Sequence, residues 1–301
     1  MTRAHWVELL GITTLYAALV AAFPLHAGVW GWSWDALNHH VYLGLISESP
    51  RWHLDVTAAS VQSWQYPYLY WPIYRLSLLP IHGALAGALW GAFLCALIVP
   101  PIWLTSLRLL PTEDKSLKSA AQAIFERGAA CALALMGVVV LSSMGTTAND
   151  PLAAVPLLWA IALMAAPAPG DRRAAAAAAL WGVSSAFKLS NALAIPLLLV
   201  WWWRTPGWPL PLRRGLGIGI GALAGFGLAY APWGWQLWQQ TGIRSTRSSR
   251  ASSAPEPCCG LYPTPGNKGY CAPCFWPTLW PGSTPRSMRL TGASHCWRGC
   301  C

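Results

Sequence analysis

Seven apolar runs lie between Trp6 and Ala231, and most approach the roughly 20 residues that an α-helix needs to cross a hydrocarbon core. They extend from Trp6 to Val29, Ile81 to Leu107, Gly128 to Met144, Pro151 to Pro167, Ala174 to Leu189, Asn191 to Trp203 and Gly215 to Ala231. The fifth and sixth are short enough to form one helical hairpin that does not fully cross. Only 10% of the chain is charged, against about a quarter in a soluble domain, so lipid is the medium these runs must satisfy. The expected fold is an all-α polytopic membrane protein of about seven transmembrane helices. The first run is longer than the apolar core of a cleavable signal and has no small-residue cleavage site, which predicts a retained anchor.

Orientation follows from Lys and Arg, which accumulate in cytoplasmic loops. With the N-terminus inside, the inner segments hold Arg3, Arg108, Lys115, Lys118, Arg127, Arg172, Arg173, Arg204, Arg213 and Arg214. The outer segments hold only Arg51, Arg75 and Lys188. This predicts a multi-pass protein of the inner (plasma) membrane with a cytoplasmic N-terminus. It places the Gly31 to Pro80 loop, the turn from Thr146 to Asp150, and Lys188 to Asn191 on one extracytoplasmic face. Within the spans, Ala174 to Ala179 and the alternating Gly215, Gly217, Gly219 and Gly221 predict close helix approach. Trp201 to Trp203, with Trp233, Trp235 and Trp238, suit an interfacial aromatic belt.

The long outer loop is too polar and too interrupted by proline to cross, and interfacial helices are expected in it. Asp35, Asn38, His39 and Tyr42 are spaced i, i+3, i+4, i+7, which puts them on one face of an α-helix. A carboxylate, an amide, an imidazole and a phenol presented together are what a general base with orienting partners requires, and His40 adjoins them. The plainer reading makes Asp35 a helix N-cap and the His and Tyr ordinary interface residues. Asp150, after Thr146, Thr147 and Asn149, equally fits helix capping ahead of Pro151. Lys188 closes the fifth run in Phe187-Lys188-Leu189. An ionisable group near membrane depth is a site candidate, although a lysine can also snorkel to the interface. Gln62, Gln65 and Arg75 add polar groups to the aromatic part of the loop.

Together these features resemble the C-type (GT-C) integral-membrane glycosyltransferases, and most closely bacterial members related to the dolichyl-phosphate-mannose protein mannosyltransferases. The likeness covers about residues 1–242. It rests on Trp34-Asp35 with Asn38-His39-His40-x-Tyr42 after the first span, the long outer loop, Asn149-Asp150, and Phe187-Lys188-Leu189 before a return helix. The resemblance implies a polyprenyl-phosphate-linked sugar as donor and inverting transfer to a hydroxyl of a glycan, lipid or protein acceptor. By position Asp35 resembles the family's catalytic base and Asp150 a second outer acidic position. Lys188, with His39 or His40, would then serve the lipid phosphate, while Asn38 and Tyr42 complete the substrate-binding set. No cofactor, metal-ligand set or nucleic-acid partner is expected. Members of the family usually have more spans than this chain.

Two other readings compete. A transporter or flippase for a lipid-linked solute predicts inverted repeats and charges near mid-membrane, and neither is visible. A structural bundle predicts that Asp35 and Asp150 only cap helices. The enzyme reading requires Asp35, Asp150 and Lys188 to converge on one outward cavity with an apolar groove for a lipid tail, whereas the structural reading scatters them.

From Ile243 the apolar periodicity stops and Ser, Arg, Pro, Gly and Cys take over. The formal charge of +10 divides accordingly: 13 Lys and Arg against 9 Asp and Glu through Gly242, then 7 against 1. The basicity is therefore largely a property of the tail and no signature of nucleic-acid binding. A metal module at Cys271-x-x-Cys274 with His295 and Cys296 lacks a second knuckle, and a disulfide-rich tail has no better support. A shifted reading frame explains more. Back-translated from Gly242, one restored base turns the polar run into a membrane-interface sequence that continues the Trp233 to Thr241 stretch. Residues 243–301 are thus expected to be a disordered, non-native, low-complexity tail, and the natural chain to continue with further membrane helices. Sequencing the gene tests this: a single-base change near codon 243 should reopen a long apolar frame, and the expectation fails if none does.

Overall fold

The computed structural model describes residues 1–241 except 29, 32, 52–54, 56–58, 111–116, 138–139, 141–142, 144–145, 168 and 204–211. The expected tail 243–301, with Cys271, Cys274, His295 and Cys296, lies outside the described residues, as do Lys115 and Arg204. The described chain is mostly helical, and its one β feature is an isolated parallel bridge between Gly31 and Thr146.

Among the described residues, three helices are long and apolar enough to cross a membrane. Helix α1 (Arg3–Ala27) has 25 residues, α4 (Gly83–Leu109) has 27 and α9 (Leu212–Thr241) has 30. At 1.5 Å per residue each exceeds the roughly 30 Å of a hydrocarbon core. Between α1 and α4 lie two short helices, α2 (Val41–Glu48) and α3 (Trp71–Ser77). The other apolar runs form α5 (Leu117–Leu135), α6 (Asp150–Met164), α7 (Asp171–Phe187) and α8 (Pro196–Trp203). With 15, 17 and 8 residues, α6, α7 and α8 are shorter than a full crossing. The sixth run begins as a 3-10 turn, Leu189–Ala194, before α8. Helix α5 starts well before the expected Gly128 because a polar turn, with Gln122 Nε2 donating to Glu126 Oε1 at 2.8 Å, extends it.

Local signals set the helix ends. Thr2 and His5 form a capping box on α1, each side chain accepting from the other's backbone N–H at 3.3 Å. Gly28, at φ 74°, closes the same helix in the left-handed conformation that favours glycine, its N–H bonding Pro24 O. Leu10, Leu15, Leu19 and Phe23 on α1 and Leu216, Ile220, Leu223 and Leu228 on α9 are exposed, as lipid-facing side chains would be.

Two contacts organise the packing. Glu8 of α1 meets Arg127 of α5 as a buried bidentate ion pair at 2.5 and 2.8 Å, and Trp103 Nε1 of α4 donates to the same carboxylate at 2.9 Å. Helices α7 and α9 approach backbone to backbone: a Cβ at Gly182 would overlap the carbonyl of Ala222, one at Gly221 that of Ala175, and one at Gly225 that of Ala179. Of the glycines singled out in the sequence, Gly221 is in this seam, Gly217 lies at ordinary distance from Ala175 Cβ and Gly219 meets nothing. Gly225→Leu is therefore expected to lower stability in detergent by about 1–3 kcal/mol, while Gly219→Leu leaves it unchanged. Thermal unfolding followed by circular dichroism distinguishes them, and equal midpoints would refute the seam.

Candidate functional site

The segment after α1 does not form the α-helical face that its spacing suggests. Residues Ala36–His40 make a π-helical turn, closed by Val41 N–H bonding Ala36 O. The wider turn stacks residue i against i+4 and i+5, so Asp35 shares a face with His39 and His40, while Asn38 and Tyr42 rotate away from it. Asn38 Nδ2 donates to Gln62 Oε1 at 2.8 Å. Tyr42 lies beside Asp55, which also pairs with Arg51 at 3.4 Å. Arg75 and Trp71 both donate to Glu48 instead of reaching the site.

Three other segments bring their polar groups to the same place. His40 Nδ1 lies 2.7 Å from Thr147 Oγ1, and the Gly31–Thr146 bridge is adjacent, so the start of the α1–α4 loop is fastened to the turn that carries Asn149 and Asp150. Helix α7 ends at Lys188, whose backbone is extended and whose Nζ donates to Asp150 Oδ1. The turn beyond is held by Asn191, whose Nδ2 donates to Ser184 Oγ at 2.9 Å and Ala153 O at 3.2 Å, and by Trp181 Nε1 donating to Asn191 O at 3.0 Å. The aromatic run of the loop rests on the end of α9, with Tyr66 OH donating to Ala229 O and Trp233 Nε1 to Trp64 O, both at 3.3 Å.

These segments enclose a cavity of about 390 Å³ lined by Asp35, His39, His40, Gln62, Gln65, Tyr66, Tyr70, Asn149, Asp150, Phe187, Lys188, Leu189, Ser190 and Tyr230. Asp35, Asp150 and Lys188 thus converge. Neither acid is consumed by helix capping. Asp35 makes no side-chain cap bond, the neighbouring Ala36 N–H going to Ser33 Oγ at 3.2 Å, and its side chain is 57% exposed. Asp150 faces Lys188 across the cavity wall. Tyr66, Phe187, Leu189 and Tyr230 give one wall an apolar character, the Tyr66 and Phe187 rings lying 5.3 Å apart. Ser184, Asn191 and Thr147, which set this geometry, carry no motif; only their position at span ends marks them. Among the described residues no three His, Cys, Asp or Glu side chains gather as a metal site.

Burial controls the protonation of the lining. His40, with the His39 ring 4.3 Å away and Tyr70 stacked at 4.8 Å, is pushed down to about 4 by desolvation and by His39, against the pull of Asp35 and Asp150. His39 is also held below its ordinary value by burial, with Asp35 opposing. Burial pushes Tyr66 up to about 12 and raises Tyr70, which Asp150 and Asp35 raise further. Near pH 7 the cavity therefore offers neutral imidazoles and phenols.

Comparison of the chain with protein families, curated proteins and solved structures returned no match. One consequence of the site's electrostatics is measurable directly. Between its ordinary 6.5 and about 4, His40 takes a proton in the unfolded chain but not in the folded one. Stability should therefore fall as pH drops through that window, by roughly 3 kcal/mol at most, and be unaffected by this group above it. The thermal midpoint in detergent from pH 7 to 4 should show the slope, and His40→Asn, which keeps an amide near Thr147, should flatten it. An unchanged slope in the variant assigns it to another group.

Proposed function

We propose that this chain is a membrane glycosyltransferase of the GT-C type, or a fragment of one, that moves a sugar from a polyprenyl-phosphate donor to an acceptor hydroxyl with inversion. The observation that carries the reading is the meeting of Asp35, Asp150 and Lys188 at one cavity from three distant stretches of chain. In the accompanying topology the N-terminus is cytoplasmic and seven segments cross or enter the membrane. Helices α1, α4 and α9 pass fully, α5 and α6 complete the bundle, and α7 with α8 forms a shorter hairpin. The cavity then opens on the extracytoplasmic side.

Asp35 is the base. Among the described residues it is the acid in the cavity that no lysine or arginine pairs with, and its exposed carboxylate is available to an incoming hydroxyl. The acceptor oxygen forms its bond to the anomeric carbon as its proton passes to Asp35. The bond from that carbon to the phosphate oxygen breaks on the opposite face, and its electron pair leaves with the phosphate. Lys188 supplies a positive charge for the leaving phosphate, and Asp150 holds the ammonium in place before the donor arrives. The apolar wall of Phe187, Leu189 and Tyr230 suits the first isoprene units of the donor.

The test is transfer in membrane vesicles from a panel of polyprenyl-phosphate-linked sugars. Asp35→Asn should lower the rate about 10²–10⁴-fold, the usual contribution of a general base, with protein level unchanged. Undiminished transfer would remove Asp35 from this role.

A further inference from the structure

His39 occupies the cavity without an evident task. Its side chain is 5% exposed and, among the described residues, its Nδ1 has no hydrogen-bond partner, a costly state for a buried polar atom. Its neighbour is already committed, since His40 holds Thr147 and stacks on Tyr70. The T-shaped contact with His40, at an interplanar angle of 72°, fixes the His39 ring so that Nδ1 stands 3.9 Å from Asp35 Oδ1. That is about 1 Å longer than a hydrogen bond. The carboxylate is half exposed and performs no cap, so a turn of its side chain closes the distance.

We propose that His39 is a positioning residue for Asp35: its Nδ1–H donates to one carboxylate oxygen as the site fills and turns the other toward the acceptor hydroxyl. This rests on the reading of Asp35 as the base. A neutral imidazole carries a single N–H, and a carboxylate beside Nδ1 selects the tautomer that places it there. In the transfer step the hydroxyl proton goes to the free oxygen of Asp35, and His39 keeps its own. A histidine serving the lipid phosphate would have no reason to follow the charge of Asp35, so the two roles separate experimentally.

The experiment uses the full chain in lipid nanodiscs with ¹⁵N-labelled histidine, the His39 signals being assigned by their loss in His39→Asn. In the unsubstituted chain His39 should show the Nδ1–H tautomer, and Asp35→Asn should move it toward Nε2–H. With polyprenyl-phosphate-linked mannose as the donor probe, His39→Leu should lower kcat roughly ten- to hundred-fold at little change in KM, the loss of one hydrogen bond to a charged group. His39→Asn puts an amide N–H near the Nδ1 position and should recover part of that loss. A tautomer indifferent to Asp35→Asn overturns the proposal, and so does equal impairment of the Leu and Asn variants. If the unsubstituted chain transfers no sugar, the tautomer measurement still decides the His39–Asp35 link, and the glycosyltransferase reading fails separately.

Discussion

Among the described residues, three ion pairs join helices of the bundle that are distant in sequence. Glu8 and Arg127 join α1 to α5, Asp171 and Arg214 join the starts of α7 and α9 at 2.6 Å, and Asp150 and Lys188 join the start of α6 to the end of α7. Leucine and alanine surfaces in lipid have little to choose between partners, because the tails are as apolar as the side chains. A buried charge pair contributes little net stability, yet losing one member strands the other at a cost of about 3–5 kcal/mol. The buried Glu8–Arg127 pair thus acts mainly against wrong pairings, whereas the partly exposed Asp150–Lys188 and Asp171–Arg214 pairs are weakened by solvent. The Glu8–Arg127 contact is the most sheltered, and Trp103 extends it to the helix that lies against α1.

With the bundle fixed, the segments between its helices have little freedom. Gly31, just beyond α1, pairs with Thr146, and His40 bonds Thr147, so the loop must begin by running along the turn before α6. The aromatic run then closes over the end of α9. The cavity is the space left among these contacts. Its polar residues are supplied mainly by helix ends and turns, where backbone groups already require polar surroundings, while the helices behind them remain apolar.

Much of this is legible in the sequence, and the losses have identifiable causes. Length and composition locate α1, α4 and α9, and position at span ends singles out Asp35, Asp150 and Lys188. Periodicity failed at Asn38 and Tyr42 because a spacing argument assumes 3.6 residues per turn, and one π-helical turn changes which neighbours share a face. The Glu8–Arg127 pair went unread because each residue sits at the margin of an apolar run, where a charge passes for a loop residue. An acid inside the first helix was the available signal. For the glycines, abundance points to a close seam, but the phase of α9 selects Gly221 and Gly225, four residues apart, over Gly217 and Gly219.

The two acids of the cavity are chemically unequal, and the inequality comes from the fold. Asp150 stands at the first turn of α6, where the helix dipole favours a negative charge, and a lysine from α7 neutralises it. Asp35 has only the His39 imidazole within ion-pair range among the described residues, and burial holds that imidazole below its ordinary value, so the cavity's lysine stays with Asp150. Two like groups placed in unlike surroundings are the usual way one site acquires distinct acid and base roles. The ion-paired acid is suited to holding a lysine in position, and the unpaired one to receiving a proton. Exchanging the two surroundings would require moving the end of α7, which the Ser184, Asn191 and Ala153 contacts prevent. In the proposed reaction the division of labour would thus follow from the same packing that makes the cavity.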